Sequence, residues 1–187
     1  PVSSKPEDLY AFGSYVFVAS SEGKKVEILD ANAELPFKSL DMPGQPVQFF
    51  EKDGDLLVFC YDAQKVYFVS ISKSGLSQKV IRSFPIAQAT GRIAQGDTDT
   101  FYLLTSSGWP DYKDGITSVS LATGILTADW KKGTGFYGIG FDSKKQQIYL
   151  ANAKGFQGNG EVTVFQKSGA EVSKFAVGRG PSGFLFR

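Results

Sequence analysis

Phe136-Tyr-Gly-Ile-Gly-Phe-Asp142, Gln147-Ile-Tyr-Leu-Ala151, Val162-Thr-Val-Phe165 and Glu171-Val-Ser-Lys-Phe-Ala-Val177 follow one another as four short apolar or alternating runs. Each run has the length and the β-branched, aromatic content of a strand, and none shows a 3.6-residue period. Lys167-Ser-Gly169 separates the last two as a turn. The first run carries Gly138 and Gly140 at alternate positions, which suits an innermost strand, where neighbouring units converge and leave little room. The stretch therefore reads as one four-stranded antiparallel unit with its small-residue strand innermost.

The same order recurs upstream. Runs equivalent to the second strand are Ser14–Ala19, Asp55–Cys60 and Asp99–Leu104, and anchoring them on Phe17, Val58, Tyr102 and Tyr149 gives spacings of 41, 44 and 47 residues. Runs equivalent to the third strand begin at Val26, Val66, Ile116 and Val162, with spacings of 40, 50 and 46. After each third run comes a turn: Asp30-Ala-Asn32, Ser72-Lys-Ser-Gly75, Ala122-Thr-Gly124, Lys167-Ser-Gly169. Gly/Pro-rich links such as Met42-Pro-Gly-Gln-Pro46, Gly133-Thr-Gly135 and Gly178-Arg-Gly-Pro181 lead out of the units. Four strands in every 40 to 50 residues is the period of a β-propeller blade. The expected fold is all-β, a propeller of about four four-stranded blades at 7–45, 46–90, 91–135 and 136–180 within a single domain or fragment spanning 1–187. Pro181–Phe186 would be an extra C-terminal strand, in the manner of a fifth innermost strand. A β-sandwich is the runner-up; it predicts alternation but not the constant unit with its Gly-rich link.

Composition restricts the chemistry. Among 187 residues, Lys+Arg 20 nearly balances Asp+Glu 19, so the chain lacks the basic excess expected of a nucleic-acid partner or an anionic membrane surface. There is no His, which excludes Ser-His-Asp and Cys-His catalysis and most zinc enzymes. The single cysteine, Cys60, sits in an apolar run, so it is expected to be buried and inert and forms no internal disulfide. No apolar run approaches the roughly 18 residues of a membrane helix, and the first residues lack a signal-peptide shape. Opening on Pro1, the chain reads as a mature or trimmed product.

The turn between second and third strands differs among units. The anchors are 9 and 8 residues apart in the first two units but 14 and 13 in the last two. The longer turns read Ser106-Ser-Gly-Trp-Pro-Asp-Tyr-Lys-Asp-Gly115 and Asn152-Ala-Lys-Gly-Phe-Gln-Gly-Asn-Gly160. Each sets aromatic rings beside Gly and hydrogen-bonding side chains, the make-up of a recognition surface. In consecutive blades the two turns would stand side by side, with Trp109, Tyr112 and Phe156 as an aromatic wall. Asp111, Asn159 and Arg179 would fix a ligand's polar groups. The bland alternative is that the rings fold inward and plug their own loops. Asp111 and Asp114 without Asp-x-Asp-x-Asp spacing read as a solvated turn rather than a calcium site, so no metal or cofactor is expected.

The segments Phe136–Asp142, Gln147–Ala153 and Gly160–Phe165, with the terminal Val177-Gly-Arg-Gly-Pro-Ser-Gly-Phe184, give the chain a resemblance to a known group. It resembles the YncE-like β-propellers (surface-layer-type, quinoprotein-dehydrogenase-like), in particular the bacterial cell-surface members known as the DUF5074 family. The resemblance implies a non-enzymatic, extracytoplasmic propeller at the cell surface or in the periplasm, held there in some cases by a lipid anchor. It would capture a bulky small molecule or nutrient, with an outer-membrane transporter as a partner. A protein-interaction scaffold is the alternative. A quinoprotein-like oxidoreductase ranks lower, since only Trp109 and Trp130 are present where such enzymes carry repeated tryptophan motifs. Members usually hold about seven blades. Four units then imply a fragment, a compact form, or a ring completed by a missing segment or a second chain, because open strand edges invite pairing.

Overall fold

The computed structural model describes residues 5–33, 35–97, 99–108 and 110–187. It holds four four-stranded antiparallel sheets, each a meander in sequence order. The chain divides into two compact units, residues 1–87 and 88–187.

In the first unit, one sheet is β1 (Pro6–Phe12), β2 (Tyr15–Ser20), β3 (Lys25–Asp30) and β4 (Leu35–Asp41). The other is β5 (Gln45–Lys52), β6 (Asp55–Tyr61), β7 (Val66–Ile71) and β8 (Gln78–Phe84). Alternation decides what meets between them: Phe17 and Ala19 of β2, Val26 and Ile28 of β3, and Val58 and Cys60 of β6 enter one buried cluster. The first strands pack together, and the Asp8 carboxylate of β1 accepts the Phe49 N–H of β5 at 2.8 Å. Cys60 is fully buried, and burial pushes its thiol pKa up, so no thiolate forms there at neutral pH.

The second unit repeats the plan. Its sheets are β9 (Ala89–Gln95), β10 (Thr100–Ser106), β11 (Asp114–Ser120) and β12 (Leu126–Gly133), then β13 (Phe136–Asp142), β14 (Gln147–Asn152), β15 (Glu161–Gln166) and β16 (Glu171–Ala176). Ile139 and Phe141 of β13 face a core shared with Tyr102, Leu104, Ile116 and Ile148. First strand again packs on first strand, β13 against β9. Hairpins close where the sequence places Asp: Asp142 Oδ1 accepts the N–H groups of Lys144 at 3.0 Å and Lys145 at 3.1 Å. These are propeller blades, and the four-strand unit has won over the sandwich.

The terminal segment departs in one respect from the expected extra strand. Residues 181–186 form no ladder. They lie on the face of β13 rather than along its edge: a Cβ on Gly138 would fall 2.7 Å from the Ser182 carbonyl oxygen, and one on Gly140 would fall 2.8 Å from Phe184. A chain seated on a sheet face offers its backbone to side chains, not to ladder partners, so no strand results. The position is nonetheless that of a next innermost strand, against β13 as β13 stands against β9. Phe184 also packs on Ala151, Val162 and Val164, covering the far face of the last sheet.

Candidate functional site

The turns that join second to third strands are short in the first unit, 21–24 and 62–65, and long in the second, 107–113 and 153–160. The long pair meets at one cleft of about 750 Å³. Tyr112 from the first turn and Phe156 from the second line it, together with Arg92 of β9, Tyr137 of β13, Asp114 of β11 and Asn152 of β14.

Each turn is held by its own hydrogen bonds. In the first, Ser107 N–H donates to the Lys113 carbonyl at 3.1 Å, and Lys113 N–H donates to Ser107 Oγ at 3.0 Å. That closure leaves Tyr112 at the rim, half-exposed, with φ 43°. In the second, Lys154, Gly155 and Phe156 form a single turn with left-handed backbone throughout, φ 48°, 63° and 63°. Left-handed Tyr, Lys and Phe cost on the order of 1 kcal/mol each and persist only where the surroundings hold them. Here the hold is visible. Asn152 accepts the Lys154 N–H at 2.7 Å and donates from its amide to the Thr134 carbonyl at 2.7 Å, and Ala153 N–H donates to the Gly135 carbonyl at 2.9 Å. Gly135, at φ 77°, leaves no space for a side chain, because a Cβ would fall 2.6 Å from the Asn152 amide oxygen. The far end of the turn is fixed by Gly160 and the 177–178 backbone, which exchange hydrogen bonds at 3.0 and 3.1 Å.

The cleft's rings and its guanidinium touch in series. Phe156 meets Tyr137 edge to face at 4.9 Å, and the Arg92 guanidinium lies over Tyr137 at 5.3 Å from the ring centre. Asp114 is buried and accepts the Phe136 N–H at 2.8 Å, fixing the start of β13. Lys154 pairs with Glu161 at 3.0 Å, and Glu161 also pairs with Lys174. Hydrogen bonds from Lys174 and then Lys154 hold the Glu161 carboxyl below its ordinary pKa. The opposite end of the same two sheets is cross-tied: Lys167 pairs with Asp97 and hydrogen-bonds Gln146, while the Trp130 indole N–H donates to the Lys167 carbonyl.

Of the residues expected from sequence, Tyr112 and Phe156 come together in the cleft. Trp109 lies outside the described residues. Asp111 is exposed and pairs with Lys113 at 3.7 Å; Asn159 and Arg179 are exposed, and none of the three lines the cleft. Asp111 and Asp114 thus have separate partners, and among the described residues no three acidic or thiol groups gather as a metal site. The sequence reading passed over Arg92 and Tyr137, and placed Asn152 at the head of the second long turn without giving it a role of its own. An Asn at the head of a turn carries a capping signal. Arg92 and Tyr137 carried none, because their strands read only as inner strands.

Four-stranded meanders packed first strand on first strand define β-propeller blades, and solved structures share the arrangement. A quinoprotein alcohol dehydrogenase-like protein from Bacteroides thetaiotaomicron matches with TM-score 0.70 at 16% identity, over 95% of this chain and 47% of that one. A candidate 6-phosphogluconolactonase from Bacteroides fragilis matches with TM-score 0.66 at 14% identity, over 99% and 61%. Kuenenia stuttgartiensis hydrazine synthase matches with TM-score 0.62 at 11% identity, over 89% and 51%. The chain therefore spans roughly half the length of these structures. No protein-family model matches the sequence, and no curated protein does. What these structures share with the chain is the β-propeller fold.

Proposed function

We propose that the chain is a non-enzymatic binding propeller, of the YncE-like, DUF5074-related kind, which works outside the cytoplasm at the cell surface or in the periplasm. The cleft of the second unit takes a bulky, partly apolar small molecule. One observation carries this reading: the two lengthened turns converge on a single cleft and hold Tyr112 and Phe156 in left-handed backbone. Strain maintained by surrounding hydrogen bonds, beside half-exposed rings, is what a preorganised binding surface costs. The volume lies in the range of small-molecule sites. Cross-ties at the opposite end leave the cleft end to recognition.

An enzymatic role draws no support from the fold. The similar structures are named for three unrelated chemistries, and a shared fold carries none of them across. A protein-interaction surface is the second reading, favoured by β16, an edge strand that leaves Val172 and Phe175 half-exposed.

A ligand screen followed by NMR on the full chain tests the reading. It is compared with a variant in which 107–113 and 153–160 are replaced by four-residue turns like 21–24. Compounds should shift signals around Tyr112, Tyr137 and Phe156 and lose binding in the short-turn variant. Ligands that bind both proteins equally would place the site elsewhere.

A further inference from the structure

Arg92 is the cleft's cation without a carboxylate partner among the described residues. Lys154 is paired with Glu161, whereas the Arg92 guanidinium is held only by the Tyr137 ring and faces the cleft. A guanidinium over an aromatic face still has N–H groups to donate, and those N–H groups form a fork that matches two oxygens of one anion. The ring contact also restricts the side chain before a ligand arrives. Tyr137 in turn meets Phe156 edge to face, so the fork is linked by ring contacts to the strained turn. Beside the fork the cleft offers the apolar faces of Tyr112 and Phe156. Asp114 is the acidic group in the lining, and its hydrogen bond to Phe136 N–H keeps it committed to the fold.

We infer that Arg92 is an oxyanion subsite of this cleft, and that the ligand is a flat apolar molecule bearing a carboxylate or a phosphate. The inference rests on the binding reading above and names its ligand class. The anion sits on the Arg92 fork, and the apolar body runs along Phe156 and Tyr112.

Three probes of one shape separate the outcomes: 2-naphthoate, 2-naphthyl phosphate and the uncharged 2-naphthamide, titrated by NMR into the full chain at low salt. The expected result is that at least one anion binds about tenfold or more tightly than naphthamide, and that added salt weakens this preference. The better anion distinguishes carboxylate from phosphate as the natural group. Arg92→Gln should abolish the preference, and Arg92→Lys should retain part of it, because lysine keeps the charge and loses the fork. Arg92 is exposed, so both variants should keep the native amide spectrum. If naphthamide binds as tightly as the anions, or the preference survives Arg92→Gln, the oxyanion subsite is wrong and the binding reading stands. If no probe shifts any cleft residue, both are overturned.

Discussion

Asn152 bridges two separate stretches of backbone: its amide nitrogen donates to the Thr134 carbonyl at 2.7 Å, and its amide oxygen accepts the Lys154 N–H at 2.7 Å. One side chain thus ties the Gly-rich link before β13 to the start of the strained turn. Asn152→Ala removes both bonds and leaves the left-handed turn without its cap. The expected cost is about 1–2 kcal/mol, from the two lost hydrogen bonds. Asn152→Asp should recover part of it, since a carboxylate still accepts the Lys154 N–H. Denaturant unfolding checks the order native, Asp, Ala; equal stability of the Ala and native chains would show that the turn holds itself.

The terminal segment gives a second prediction. Phe184 and Phe186 both pack on Tyr149, at ring separations of 5.8 and 5.0 Å. Deleting 181–187 should cost roughly 3 kcal/mol, the scale of uncovering one or two aromatic contacts. Gly140→Ala forces a Cβ to 2.8 Å from Phe184 and should cost about 1–3 kcal/mol in the full chain. In a Phe184→Gly background the same change should cost little. Additivity of the two changes would mean that the segment does not rest on Gly140.

The blade pattern was legible in the sequence because it is written in strand alternation and turn residues, which are local. Phe17 and Ala19 face one cluster and Ile139 and Phe141 another, as the period-2 pattern requires. The long turns were legible from anchor spacing, and with them Tyr112 and Phe156. Arg92 and Tyr137 were not, because their pairing depends on how β9 and β13 pack as neighbouring first strands, and no local pattern encodes that contact. The terminal segment shows the converse. Its composition resembled an inner strand and it takes that position, but a ladder needs a partner edge, which composition does not report.

A third prediction concerns pH. Glu161 holds Lys174 and Lys154, and its carboxyl pKa lies below the ordinary glutamate value for that reason. The folded chain therefore binds this proton less readily than the unfolded one. Its contribution is complete above the unfolded value of about 4.3 and is lost as pH falls through the lower folded value. Partly exposed pairs of this kind contribute about 1 kcal/mol or less, and salt weakens them. Glu161→Gln should lower the melting temperature by about 2–4 °C at pH 7, and the difference should shrink as pH falls below the ordinary glutamate range. A difference that does not shrink with falling pH would assign the effect to packing.

Tyr112 and Phe156 separate binding from stability. Tyr112 is half-exposed and touches no other aromatic ring among the described residues, so Tyr112→Ala should alter stability by no more than about 0.5 kcal/mol. Phe156 meets Tyr137 edge to face and also leans on Gly180, where a Cβ would come within 3.0 Å of its ring. Phe156→Ala should therefore cost about 1 kcal/mol, the worth of one aromatic pair beyond area. It should also loosen Tyr137 and with it Arg92. On ligand affinity both substitutions should act strongly, by about 2 kcal/mol or roughly thirtyfold, if the rings are anchors of the cleft. Paired thermal unfolding and titration with a cleft ligand give the two readouts. Loss of stability in Tyr112→Ala without loss of affinity would show that this ring plugs its own loop, and the wall would then reduce to Phe156 and Tyr137.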